Sequence, residues 1–185
     1  MYNNYFNHVN SDKLGIDLNA LRKEHNNFEF NVLRFDESQE FDEWFNKQDT
    51  WWVAAVDDLS SSPEIKKIIL HLEQTLSIKF LENDILTDKI GVRFYIQKKG
   101  AELLEHEDYP ESHVALNFTF DENVAPISFS DIGDIYYKCC LFNVSNSHYV
   151  KASPIDRLML RITPMNVNYQ EVCDKFDAAG LFLNS

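Results

Sequence analysis

Little in this chain of 185 residues suits a disulfide-stapled, membrane-spanning or nucleic-acid-binding protein. It has three cysteines, Cys139, Cys140 and Cys173, an odd number with two of them adjacent in an apolar stretch. That is no disulfide framework, and it points to a reducing compartment. No segment approaches the roughly 20 apolar residues that span a bilayer, and the first residues lack a basic stretch followed by an apolar one. The expectation is a cytoplasmic protein without membrane association. Runs of basic residues are missing as well. Seventeen Lys and Arg stand against thirty Asp and Glu, a net charge of −13 that repels phosphate backbones and anionic headgroups. Nucleic acid is therefore not an expected partner, and basic or neutral substrates suit the global field better.

What is present is apolar and aromatic material, 44% and 14% of the chain, enough for a buried core in one domain over 1–185. The first ninety residues mix helical and extended signals. Ser62-Pro63-Glu64 reads as a cap followed by proline at the first helical position, and Ile65, Ile68, Ile69, Leu72 and Leu76 follow at helical spacing. The pattern predicts an amphipathic helix over 63–78. Shorter helices are expected over 18–25 and 37–47, and strands over 28–35 and 51–56.

From Val92 the texture changes to short β-rich runs without intervening helices: 92–97, 101–106, 113–120, 127–129, 135–142, 148–151 and 157–163. Turn signals at Lys99-Gly100, Tyr109-Pro110 and Ile132-Gly133-Asp134 separate them. Such spacing predicts an antiparallel sandwich, jelly roll or barrel. A closing helix is expected over 169–182.

Several side chains in this β-rich part suggest chemistry. In His106-Glu107-Asp108 the strand alternation puts the imidazole and the Asp108 carboxylate on one side. A second imidazole, His148 on another strand, would complete a two-histidine, one-carboxylate face and leave coordination positions open for oxygen chemistry. The plain alternative is a solvated turn and an ordinary exposed histidine. Arg157 and Arg161 share one face of the last strand, where a guanidinium fork could bind the carboxylate of a dicarboxylate cosubstrate. Pairing with surface acids is the competing account of both.

His113 is a weaker substitute ligand, and His8, His25 and His71 read as surface residues. Cys139 and Cys140 should place one thiol in the core and one opposite. Trp44, Trp51 and Trp52 read as packing.

Taken in order, Val92-Arg93-Phe94-Tyr95-Ile96-Gln97, Gly100-Ala101-Glu102-Leu103-Leu104-Glu105-His106-Glu107-Asp108, Ala115-Leu116-Asn117-Phe118, His148-Tyr149-Val150 and Asp156-Arg157-Leu158 form a recognisable series. Over about residues 90–164 the chain resembles the iron(II)- and 2-oxoglutarate-dependent oxygenases. It looks most like small members from marine microbes and viruses, with some likeness to aspartyl/asparaginyl and prolyl hydroxylases.

The resemblance implies a mainly β protein with flanking helices, its centre a double-stranded β-helix of the jelly-roll, cupin-like kind over 91–164. Residues 1–90 would supply supporting helices and edge strands, and 165–185 a C-terminal helix. It implies Fe(II) held by His106, Asp108 and His148, and 2-oxoglutarate with its distal carboxylate on Arg157. Arg161 could assist, serve as the anchor instead, or bind substrate.

Tyr95 and Asn117 would fall on strands lining the cosubstrate pocket, each with a core role as the alternative, and Arg93 is a candidate for substrate. The implied activity is a dioxygenase, usually a hydroxylase, acting on a peptide side chain or a small molecule. The interval from Asp108 to His148 is short for this family, which leaves little room for substrate-recognising insertions. A cupin-type oxygenase without 2-oxoglutarate would keep the metal and not need Arg157. A non-catalytic β-sandwich, binding or structural and perhaps viral, would need neither.

Overall fold

The computed structural model describes residues 3–33, 50–87, 90–108, 113–164 and 167–183. The helix expected over 37–47, Trp44 within it, and the turn at Tyr109-Pro110 lie outside the described residues. Eight consecutive strands make the centre: β6 (Ile90–Gln97), β7 (Leu103–His106), β8 (Val114–Thr119), β9 (Ile127–Phe129), β10 (Gly133–Ile135), β11 (Cys139–Asn143), β12 (His148–Val150) and β13 (Arg157–Pro164). They divide between two antiparallel sheets in the orders β11-β8-β13-β6 and β10-β9-β12-β7. The chain thus crosses repeatedly between facing sheets, which is a jelly roll, or double-stranded β-helix. The first sheet is widened to seven strands by β1 (Phe6–His8) beside β11, and by β3 (Trp51–Ala55) and β2 (Asn31–Val32) beside β6. A separate hairpin joins β4 (Leu81–Glu82) to β5 (Ile85–Leu86).

Both faces of the seven-stranded sheet are covered, and the alternation of side chains decides what each face carries. Val92, Phe94, Leu116, Phe118, Leu141, Leu160 and Ile162 point outward into a core shared with the helices. The helices are α1 (Leu18–His25), α2 (Pro63–Leu76) and α3 (Tyr169–Ala178). Helix α2 buries Ile65, Ile68, Ile69, Leu72 and Leu76 there, the stripe visible in the sequence. Ala115, Cys140, Phe142 and Met159 point inward, against Ile127, Phe129, Ile135 and Val150 from the four-stranded sheet. Cys139 and Cys140 accordingly enter the two different cores, both buried.

Three local expectations change. The run over 135–142 is two strands, β10 and β11, because the chain passes from one sheet to the other between them. The closing helix stops at Ala178, and Phe182 instead forms a β-bridge with Val9. Of the strand expected over 28–35, Asn31–Val32 forms the ladder with β3, and the Leu33 N–H adds a bond to the Trp51 carbonyl at 2.7 Å.

His25, expected at the surface, is buried, with its ring 4.7 Å from that of Phe30, 5.1 Å from Phe94 and 5.8 Å from Phe120. It closes the last turn of α1 on the side facing the sheet, and burial lowers its pKa.

Helix α2 is also capped differently from its sequence signature. Ser62 makes no side-chain cap bond, and its buried Oγ has no partner. The carboxylate of Glu24, from α1, instead accepts from the Glu64 N–H at 2.7 Å and the Ile65 N–H at 3.4 Å. A negative charge at a helix N-terminus, bonded to orphan donors, stabilises by about 1–2 kcal/mol. Glu24→Ala should therefore lower stability by roughly that amount, while Ser62→Ala leaves it nearly unchanged. Chemical denaturation of the two variants checks this, and equal effects would return the cap to Ser62.

Candidate metal centre

Strand β7 ends at His106, and β12 begins at His148, directly opposite it in the antiparallel register. Cross-strand partners lie on the same face a side chain's width apart, so the two imidazoles meet, with ring centroids separated by 4.4 Å. Asp108, two residues past the end of β7, is held by its backbone N–H donating to the Val144 carbonyl at 3.0 Å. That bond turns its carboxylate back toward the histidines. One ligand atom from each of His106, Asp108 and His148 lies within 4.8 Å of the others, a group able to hold a metal ion.

The donor atoms are prepared for such an ion. His106 Nδ1 faces the Leu104 carbonyl at 2.8 Å, and His148 Nδ1 faces the Asn146 carbonyl at 2.9 Å. A carbonyl only accepts, so each Nδ1 carries the proton and each Nε2 keeps its lone pair for a cation. His148 is 3% exposed, and burial, aided by repulsion from His106, pushes its pKa down to about 4, so the ring is neutral at physiological pH.

For Asp108 burial acts to raise the pKa, but the Arg161 guanidinium and the two histidines outweigh it and hold the carboxyl well below the usual range. Its two oxygens have separate partners. Oδ1 lies 3.4 Å from His106 Nε2, and Oδ2 accepts from the Arg161 guanidinium. Arg161 is itself braced by its Nε donating to Thr163 Oγ1 at 3.2 Å.

Beneath this triad the inner face of the seven-stranded sheet is polar. Arg161 stands opposite Asn117 on one side and Arg93 on the other, and Met159 stands opposite Tyr95, while Arg157 stands opposite Gln97. Arg157 opens β13, four residues before Arg161, and is 1% exposed. Its guanidinium donates to the Tyr137 hydroxyl and, at 3.5 Å, to Gln97 Oε1, but its buried Nε has no partner. Asn117, on the neighbouring strand β8, has its own Oδ1 buried and unpartnered. Accepting from Arg157 leaves the phenol proton available to a further acceptor. The arrangement is a buried polar cluster with one unsatisfied donor, Arg157 Nε, which an anion would satisfy, and one unsatisfied acceptor, Asn117 Oδ1.

The eight residues singled out from sequence thus sit as follows. His106, Asp108 and His148 converge, and Arg161 joins them through Asp108. Arg157 and Asn117 lie together at Tyr137, and Tyr95 and Arg93 share the inner face of β6, the first half-buried and the second exposed. His113 is not in the cluster, its Nδ1 lying 2.8 Å from Ser145 Oγ. Tyr137 and Gln97 went unnoticed in the sequence. Gln97 had a signal, since Arg93, Tyr95 and Gln97 form a polar face alternating with Val92, Phe94 and Ile96. Tyr137 had none, because its role depends on β13 lying near it in space.

No protein-family model matches the sequence, and no curated protein does. The structure is similar to a prolyl hydroxylase from Trichoplax adhaerens, solved in complex with a hypoxia inducible factor oxygen degradation domain peptide fragment. The TM-score is 0.60 at 13% identity, covering 92% of this chain and 86% of that one. It is also similar to an oxidoreductase of the 2OG-Fe(II) oxygenase family from Burkholderia pseudomallei, with a TM-score of 0.51 at 11% identity over 82% and 78% of the two chains. At such identities the likeness is one of fold. The jelly roll expected from the resemblance is the fold this chain has, and it is shared with proteins of the expected superfamily.

Two outcomes follow from the centre. Arg161→Gln should weaken Co(II) binding about tenfold or more, the usual effect of removing a group that orients a ligand, and Asp108→Ala should weaken it further; absorbance titration measures both. In chelator, His148 has a folded pKa of about 4 against an unfolded value near 6.5. The stability it contributes is complete above pH 6.5 and lost as pH falls toward 4, by at most about 3 kcal/mol. His148→Gln should flatten that part of the denaturation profile.

Proposed function

We propose that this protein is an Fe(II)- and 2-oxoglutarate-dependent oxygenase that oxidises, most simply by hydroxylation, a small molecule or a peptide side chain. The observation that carries the reading is the pairing of a clustered two-histidine, one-carboxylate triad, each of whose imidazole Nδ1 atoms faces a carbonyl, with a buried arginine whose Nε has no partner. A non-catalytic sandwich gives no reason for either. A metal enzyme without a dicarboxylate cosubstrate gives no reason for the second.

In this reading His106 and His148 hold Fe(II) through Nε2, and Asp108 holds it through Oδ1. Arg157 takes the distal carboxylate of 2-oxoglutarate with its free N–H, and Tyr137 donates its phenol proton to the same group. Four residues of strand separate Arg157 from Arg161, about 13 Å at an extended rise. A five-carbon diacid held by Arg157 would reach toward the triad over that span. Gln97 and Tyr137 hold Arg157, so the anchor is organised before the cosubstrate arrives. Gln97 is fixed in turn, donating to the Ala101 carbonyl at 2.7 Å and the Lys151 carbonyl at 3.2 Å. The bound iron and cosubstrate supply the oxidising power and yield succinate and carbon dioxide; the chain supplies the open face and the dry floor.

Anaerobic addition of Fe(II) and then 2-oxoglutarate should produce the visible charge-transfer band of the chelated complex. Asp108→Ala should abolish it, and Arg157→Ala should raise the 2-oxoglutarate concentration needed by roughly tenfold to a hundredfold, the effect of losing a charge-assisted bond. Absence of the band in folded wild-type protein would defeat the reading.

A further inference from the structure

Arg93 and Arg161 are directly opposed partners on β6 and β13, both on the inner face. Like charges in that position repel and destabilise a sheet. A chain of charge −13 has carboxylates to neutralise both, yet only Arg161 has one, Asp108. Arg93 is exposed and, among the described residues, has neither a hydrogen bond nor an ion pair. On its other side β3 offers Ala55, a methyl group that leaves the space above the guanidinium open. Three of the chain's five arginines, Arg93, Arg157 and Arg161, are gathered on this inner face, and of these Arg93 stands nearest solvent. A local conflict of this kind, retained beside a reactive centre, marks a position whose partner arrives from outside.

We infer that Arg93 is the substrate-recognition residue of this site and that the substrate presents a carboxylate to it, as an acidic peptide side chain or a small carboxylic acid. The inference builds on the oxygenase reading, since it is the triad beside Arg161 that makes an anion held by Arg93 a substrate. It reverses the expectation from net charge. The global field is screened within about 8–10 Å at physiological ionic strength, so a guanidinium inside the mouth decides selectivity at contact distance. Arginine suits the task because its planar fork takes both oxygens of a carboxylate and rejects the isosteric amide.

The test uses Ni(II)-loaded protein saturated with 2-oxoglutarate, which occupies the deeper arginine and does not turn over. In one arm acetyl-Gly-Asp-Gly-amide is compared with acetyl-Gly-Asn-Gly-amide, and in the other glutarate with glutaramide, following the nitrogen-15 resonance of the Arg93 Nε–H. The acid should bind about tenfold more tightly than its amide in at least one arm, and the responding arm distinguishes peptide from small molecule. Arg93→Gln should erase the preference, and Arg93→Glu should turn it toward acetyl-Gly-Lys-Gly-amide, with unshifted melting midpoints showing that both variants fold. Equal binding of acid and amide in both arms, or a preference that survives in Arg93→Gln, overturns the inference. Failure to take up Ni(II) and 2-oxoglutarate would instead count against the oxygenase reading, and the same titrations on the protein alone would still decide the anion site.

Discussion

The structure turns on the register that sets His148 opposite His106. Because side chains alternate, a slip of one residue between β7 and β12 would send one imidazole to the far side of the sheet and dissolve the centre. Several contacts hold that register. On its other edge β12 pairs with β9, where Phe129 stands opposite His148 with ring centroids 5.9 Å apart. Val150 is buried in the inner core opposite Ile127, so β12 is pinned at both of its ends. The irregularity between His148 and Val150 re-aims the strand without losing either contact, a common use of a bulge beside a functional site. Apolar packing thus fixes where two polar rings meet.

The seven-stranded sheet serves the centre by separating stability from chemistry across its two faces. Outward residues of β6, β8, β11 and β13 fill an apolar core under three helices, and that core can tolerate what the inward face imposes. Burying a guanidinium and leaving amide and guanidinium atoms unpartnered is unfavourable by a few kcal/mol in all. Arg157 Nε and Asn117 Oδ1 are such atoms, and they lie at the same place, around Tyr137. In a face with no function the simplest sequence change would be an apolar residue at each position. The proposed function gives their coincidence beneath the triad a reason that a purely structural jelly roll would not supply.

How much of this the sequence discloses depends on the range of each interaction. Strand alternation and helix periodicity are local, so an antiparallel β module of the sandwich, jelly-roll or barrel kind and the stripe of α2 can be read directly, as can the shared face of His106 and Asp108. The convergence of His148 on them needs the jelly-roll crossing, which resemblance supplies and periodicity does not. Long-range substitutions for local roles are illegible. Ser62-Pro63 has the form of a cap, yet Glu24, distant in sequence, does the capping, and Ser62 is left buried. His25 looks like a polar end to a short helix, and only the aromatic cluster of Phe30, Phe94 and Phe120 explains its burial. Tyr137 belongs to the same class, a residue whose partners come from β8 and β13.

The inward arginines also order the site by depth. Arg157 is sealed at the floor, Arg161 is pinned midway by Asp108 and Thr163, and Arg93 reaches the surface. The Asp108 bond matters most for coordination chemistry, because an oxygen engaged by a guanidinium is a poor second ligand. Held through Oδ2, Asp108 would offer a metal one oxygen, so His106, His148 and Asp108 would hold an ion by three donors and leave the rest of its shell open. On the proposed function, a cosubstrate bound there through two atoms would still leave room for oxygen. Arg161, which the sequence also offers as an anchor, would on that reading serve to keep one Asp108 oxygen away from the metal.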